Sequence, residues 1–229
     1  MTTRICGRLL ALAATVVACA RPAANPAPST AAQFDDEIAA FEAADRVNAP
    51  QPGGVVFVGS SSIRMWPDVG ADFPGSSALN RGFGGSTLAD VVYFAPRIVL
   101  PYKPRLIVLY AGDNDLSEGH TPAQVLADYR AFAALVHRAL PETRLVFVSI
   151  KPSPSRWTLA DSMRKANALI AADIARDARA TFVNVFPAMV GANGHPRPEL
   201  FVDDSLHMTA AGYALWRELL GPVVGARKH

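Results

Sequence analysis

The chain has 229 residues, half of them hydrophobic and 18% charged, which suits one sizeable α/β domain and excludes a disordered chain. Its formal charge is +2. Without Arg4 and Arg8 the remaining 20 basic residues balance 20 acidic ones, and no basic block exists to neutralise a phosphate backbone, so no nucleic-acid partner is expected.

Residues 1–20 read as an export signal. Arg4 and Arg8 form a short basic region, and Leu9 to Ala18 is apolar but too short to span a bilayer as a mature helix. "VVAC" suits a bacterial lipoprotein box with Cys19 lipidated; "ACA" equally suits cleavage after Ala20, and both stay open. Residues 21–30 form a flexible tether rich in Pro and Ala, and 31–229 a single domain. The expected location is periplasmic or membrane-anchored through Cys19, alternatively secreted. The only cysteines are Cys6 and Cys19, so the mature domain has no disulfide, no thiol nucleophile and no cysteine metal ligand.

Phe34, Ile38 and Phe41 at helical spacing predict an amphipathic helix over 31–47, with Asp35, Asp36 and Glu37 near its start. "VVFVG" (55–59) is a buried strand bounded by glycine. "SALNRGFGGS" is a strand ending in a glycine-rich turn, with Ser86 as N-cap of the helix "TLADVVYFAPRIVL". "RLIVLYAG" is the strongest strand signal. After the polar loop "DNDLSEGHTP", Thr121 caps a helix through Leu140. "TRLVFVSI" is a strand, "KPSPSRW" a loop, and a helix covers roughly 159–178. "TFVNVF" is the last strand, and a short helix starts from Thr209. Strands alternating with helices of this length predict βαβ units and a parallel sheet with helices on both faces.

In such sheets the working site lies beyond the C-terminal strand ends. Four loops qualify. The first carries Ser60, Ser61 and Ser62; the second Gly82, Gly84 and Gly85; the third "GDND", with Asn114 between two aspartates; the last "DDSLHMT", with Asp204 three residues before His207. A serine hydroxyl is barely ionised at neutral pH and needs an adjacent base. Imidazole suits that role, with a carboxylate to orient it. Backbone amides of glycine turns and an asparagine side chain can stabilise a tetrahedral oxyanion. Each part alone is weak, since glycines end strands for steric reasons and "GDND" could be a polar turn. All of them together, at the correct loop ends and in order, point to nucleophilic catalysis.

With these motifs the chain resembles the SGNH hydrolases of the GDSL esterase/lipase superfamily over about residues 54–221. "FVGSSS" sits where that family has Gly-Asp-Ser, "NRGFGGST" matches its second block, "AGDND" its Gly-x-Asn-Asp block and "DSLH" its Asp-x-x-His. The resemblance implies a three-layer α/β/α, flavodoxin-like fold with about five parallel strands. It makes Ser61 the nucleophile, His207 the base and Asp204 the triad acid. The oxyanion donors it implies are the Ser61 N–H, the Gly85 N–H and the Asn114 side chain. Ser60 replaces the family aspartate, Ser86 stands where many members have aspartate, and Ser62 is a turn residue or helix cap.

The implied activity is hydrolysis of a small-molecule or glycan ester, without metal or cofactor. The short polar loops, with no long apolar lid, tilt the substrate toward small acyl groups. A non-catalytic carbohydrate- or lipid-binding module on the same fold, and acyl transfer to another acceptor, are the alternatives. Asp203 reads as a solvated loop charge, His120 as a helix-flanking surface residue and Asp115 as an anchor of its own loop. His137 and His229 have no partner that the sequence names, and His195 lies in a loop near the site. Trp66, Arg156 and Trp157 would either shape a pocket or pack under loops. No Walker sequence, G-x-G-x-x-G register or G-x-S-x-G elbow is present.

Overall fold

Five apolar runs pair edge to edge: β1 (Val55–Gly59), β2 (Ala78–Gly82), β3 (Leu106–Tyr110), β4 (Arg144–Val148) and β5 (Ala180–Val183). Their order is β2-β1-β3-β4-β5 and every pairing is parallel. The computed structural model describes Met1 and residues 31–225; the expectations for the export signal, Cys19 and His229 lie outside the described residues. Among the described residues no helix is long and apolar enough to cross a membrane.

Side chains along a strand alternate between faces, so the sheet feeds two cores. Val56, Val58, Ile107 and Leu109 face one side, with Ile38, Phe94, Phe132 and Ile170 from its helices. These belong to α1 (Asp35–Val47), α4 (Leu88–Ile98), α6 (Pro122–Ala139) and α7 (Ala160–Ile174). Val55, Phe57, Val108 and Tyr110 face the other side. There α8 (Ala210–Val224) covers the sheet, with α2 (Ser61–Arg64) and α3 (Val69–Asp72) at its margin. The result is the expected three-layer α/β/α arrangement. The remaining helix, α5 (Asp113–Ser117), follows β3 directly.

Several boundaries differ from the sequence expectation. The first four residues of the opening helix, Ala31–Phe34, form a 3-10 turn. Thr87, not Ser86, caps α4: its hydroxyl accepts the Asp90 N–H while the Asp90 carboxylate accepts the Thr87 N–H. That reciprocal pair satisfies two orphan donors, which Ser86 cannot do. The segment Pro154–Leu159 is a 3-10 stretch, so α7 starts at Ala160 and ends at Ile174. The C-terminal helix runs for 15 residues and is not short. Thr121 caps α6 as expected.

The chain goes from β1 outward to β2, then crosses back to β3 on the other side of β1. β1 and β3 are therefore neighbours whose following loops diverge, the switch point where such sheets bind ligands. Gly59 ends β1 opposite Tyr110, with φ at +137°. A Cβ at Gly59 would lie 1.7 Å from the Tyr110 carbonyl oxygen. Only glycine lets the two strand ends meet. Gly59→Ala is expected to cost roughly 2 kcal/mol or more, because backbone must move; thermal unfolding followed by circular dichroism checks this, and an unchanged melting temperature contradicts it.

Candidate active site

Ser60 follows β1 directly, and its N–H donates to the Tyr110 carbonyl (3.0 Å). Its own carbonyl accepts the Ile63 and Arg64 amides and turns the chain into α2, with Ser61 as the first residue. Asn80 on β2 secures this turn by donating to the Ile63 carbonyl (2.7 Å). Ser62 lies buried inside α2, so it is not the cap; Ser60 occupies the cap position. The Ser60 and Ser62 hydroxyls are buried and make no hydrogen bond, whereas Ser61 is partly open to solvent.

The Ser61 Oγ lies 2.9 Å from His207 Nε2. On the far side of the ring, His207 Nδ1 is 2.5 Å from Asp204 Oδ2. Asp204 Oδ1 accepts the N–H groups of Leu206 (2.8 Å) and His207 (2.9 Å). The bond from the His207 ring, followed by these backbone donors, holds the Asp204 carboxyl down at about 2. It is thus a carboxylate throughout the neutral range. The turn that presents it depends on Ser205 at φ +58° and on the Val202 N–H, which donates to the His207 carbonyl (2.9 Å). Asp203 is exposed, with no hydrogen bond or ion pair found among the described residues.

Two further loops leave the neighbouring strand ends. Gly85 is in the left-handed region (φ +82°) and exposed, and its N–H, like that of Ser61, has no hydrogen-bond partner among the described residues. Asn114 is buried in α5, and its Nδ2 donates to the Ser86 carbonyl (3.0 Å). Ser86 therefore serves the site through its carbonyl, while its hydroxyl donates back to Phe83 O (3.0 Å).

The other candidates separate cleanly. Trp66 is buried among Phe57, Phe73, Tyr213 and Trp216 and is a packing residue. Trp157 stacks on Phe186 and borders the exposed His195 (5.6 Å between rings). His137 does have a partner, Asp177 (3.2 Å). Arg156 donates to the Asn114 Oδ1 (2.9 Å). Lys151 was not singled out by the sequence; it is buried and pairs with Asp113 (3.1 Å). The available signal was a lysine placed directly after the apolar run "LVFVSI".

Asp115 ties its own loop to α4: Oδ1 accepts the Leu88 N–H (3.0 Å). Its Oδ2 is buried without a hydrogen bond. Possible ligand atoms of Asp115, His120 and Asp128 lie within 4.8 Å of one another, and His120 is half-buried where a surface position was expected. Burial pushes the Asp115 carboxyl up to about 7. Residues of this kind often cluster without a metal, and no ion is assigned to this cluster.

Residues 54–215 match the GDSL-like lipase/acylhydrolase family. The chain belongs to this family. The platelet-activating factor acetylhydrolase IB subunit alpha1 of Bos taurus is 28% identical over 205 residues, covering 84% of each chain. A GDSL-like lipase from Bacteroides thetaiotaomicron superposes with a TM-score of 0.69 at 23% identity, covering 82% of this chain and 97% of that one. A variant of an acetylxylan esterase from Geobacillus stearothermophilus gives 0.61 at 14% identity, covering 78% and 98%. This GDSL-like acylhydrolase is a carboxylic ester hydrolase.

The raised Asp115 carboxyl has a consequence for stability. The folded state keeps the proton up to about pH 7, whereas the unfolded chain releases it near the ordinary aspartate value of 3.8. Stability from this group is therefore complete below about pH 4 and is lost as pH rises through about 7. Asp115→Asn retains an acceptor for Leu88 but cannot ionise. The variant's stability relative to wild type should rise by on the order of a few kcal/mol between pH 4 and pH 8. Denaturant unfolding at the two pH values measures it; a difference independent of pH rules the account out.

Proposed function

We propose that this hydrolase cleaves short-chain carboxylic esters through an acyl-enzyme on Ser61. The observation that carries the reading is the unbroken hydrogen-bonded chain from Ser61 Oγ through both His207 nitrogens to Asp204. As Ser61 Oγ attacks the acyl carbon, its proton passes to His207 Nε2, and the Asp204 carboxylate stabilises the imidazolium that forms. The carbonyl oxygen becomes an oxyanion and takes hydrogen bonds from the Ser61 N–H, the Gly85 N–H and the Asn114 amide. His207 then gives its proton to the departing alkoxide. Water, deprotonated by the same imidazole, attacks the acyl-serine and releases the acid. No step calls on a metal or cofactor.

The preference for small acyl groups has a separate support. The bovine relative is named an acetylhydrolase and the Geobacillus protein an acetylxylan esterase, so two otherwise different relatives are named for acetyl chemistry. The N-terminal sequence supports export as part of the same proposal, with Cys19 lipidated or the signal removed by ordinary cleavage.

A fluorophosphonate probe is expected to label Ser61, located by mass spectrometry, and the label should be lost in His207→Ala. Label on Ser60 or Ser62 would overturn the assignment of the nucleophile. Asn114→Ala should lower kcat roughly a hundredfold or more if the amide meets the oxyanion; an unchanged kcat removes it from the mechanism. Asp204→Asn should be severely impaired at unchanged melting temperature while Asp203→Asn retains activity. The reverse pattern would transfer the acid role to Asp203.

A further inference from the structure

Behind Asn114 lies a group of buried charges that the proposed mechanism does not use. Asp113, at the start of α5, is 4% exposed. Its Oδ2 is 3.1 Å from Lys151 Nζ and 3.2 Å from Arg156 Nη1. Its Oδ1 accepts the Asn114 backbone N–H (3.1 Å). Lys151, 1% exposed, also reaches the Tyr110 hydroxyl (3.3 Å). Burial alone would raise the Asp113 carboxyl, but Lys151 and Arg156 outweigh it and hold it below its ordinary value. Tyr110 is pushed the other way, chiefly by burial, and stays neutral. Two cations thus face one carboxylate, leaving a residual positive charge within the wall behind Asn114.

We infer that Arg156 is a positioning residue for the oxyanion donor, acting through the Asn114 amide. The first step is a matter of donors and acceptors. A guanidinium has only donors, so the amide atom facing Arg156 must be the carbonyl oxygen. Arg156 Nη2 reaches it at 2.9 Å. That fixes Nδ2 on the opposite side. One Nδ2 hydrogen goes to the Ser86 carbonyl. The other remains for the substrate oxyanion. Without Arg156 the amide is held on one side only, by the Ser86 carbonyl, and loses the contact that fixes its oxygen. The second step is electrostatic. A cation on the amide oxygen polarises the group and makes its N–H a stronger donor. A preorganised positive field costs no reorganisation when the oxyanion forms.

The same turn also touches the acid–base loop. The Ser155 N–H donates to the Ser205 carbonyl (3.0 Å), in the turn that carries Asp204 and His207. Lys151 and Asp113 in this view hold the guanidinium, with Asp113 pairing Nη1 while Nη2 is aimed at Asn114.

This inference rests on the Ser61 acyl-enzyme reading, and a double-mutant cycle tests it apart from that reading. The variants are Arg156→Met and Arg156→Lys, each in the wild-type and Asn114→Ala backgrounds, assayed with p-nitrophenyl acetate and by thermal unfolding. Arg156→Met should lower kcat about tenfold or more with KM changed less than about twofold. In the Asn114→Ala background the same change should cost less than about twofold, because its route is already gone. Arg156→Lys restores one cationic nitrogen and should fall between wild type and Arg156→Met, also where Arg156→Met folds poorly. Equal losses in both backgrounds, an effect on KM alone, or full activity in Arg156→Met would each overturn the inference. A wild-type protein that neither turns over the ester nor takes the fluorophosphonate label would overturn the acyl-enzyme reading and this inference with it. A labelled, active wild type with an undiminished Arg156→Met overturns the inference alone.

Discussion

The approach of β1 to β3 at their C-terminal ends governs everything else in the site. Gly59 has no side chain, so the Tyr110 carbonyl can sit where a Cβ would be and accept the Ser60 N–H. One bond thereby fixes the first residue after β1 against the last residue of β3. From that point the two chains part. One turns into α2 with Ser61 at its start, and the other passes Gly112, at φ +113°, into α5 with Asn114. Ser61 and Asn114, the proposed nucleophile and amide donor, are thus placed by strand pairing and not by loops that must find each other. A larger residue at 59 would disturb both at once.

Placement costs little where backbone does the work, and much where charge is buried. An ion pair moved into the interior loses hydration that its own attraction does not always recover. Apolar residues could fill the space behind α5 at less risk. Instead the chain keeps Asp113 and Lys151 almost wholly out of solvent and adds a second cation at Arg156. An unbalanced positive charge in that position contributes little to folding. It is useful where negative charge appears transiently, at the acyl carbonyl during attack. The contrast with Asp115 is instructive. Two residues on, Asp115 has no ion-pair partner among the described residues, and burial pushes its carboxyl up to about 7.

Much of this was legible in the sequence. The strands were short apolar runs ended by glycine or polar loops, and all five were found. Ser61, Asn114, Asp204 and His207, the residues of the proposed mechanism, lie in local motifs whose spacing survives in the primary structure, as "DSLH" does for Asp204 and His207. The misplaced α4 cap had a visible signal: Asp90 stands three residues after Thr87, the spacing of a reciprocal cap, whereas Ser86 has no such partner. Arg156, Lys151 and Asp113 were harder. Asp113 lies 38 and 43 residues before Lys151 and Arg156 and meets them only through the pairing of β3 with β4. No spacing rule encodes a meeting of that kind. His137 found Asp177 for the same reason, by the packing of α6 beside the end of α7.

The site is built unevenly, and the unevenness has a physical sense. Ser61 and Asn114 follow the C-terminal ends of the inner strands β1 and β3, and their chain neighbours are buried. Asp204 is half exposed, on a turn held by its own carboxylate and a few backbone bonds. In the proposed mechanism His207 takes a proton from Ser61, returns it to a leaving group and then serves water, and its partner Asp204 is the more solvent-exposed of the two. An oxyanion donor gains nothing from motion, since its value lies in being in place beforehand. The Ser155–Ser205 bond joins the two mounts, and the turn that makes it also carries Arg156. The loop after β4, which holds none of the proposed triad, therefore touches both the Asn114 side and the Asp204–His207 side of the site.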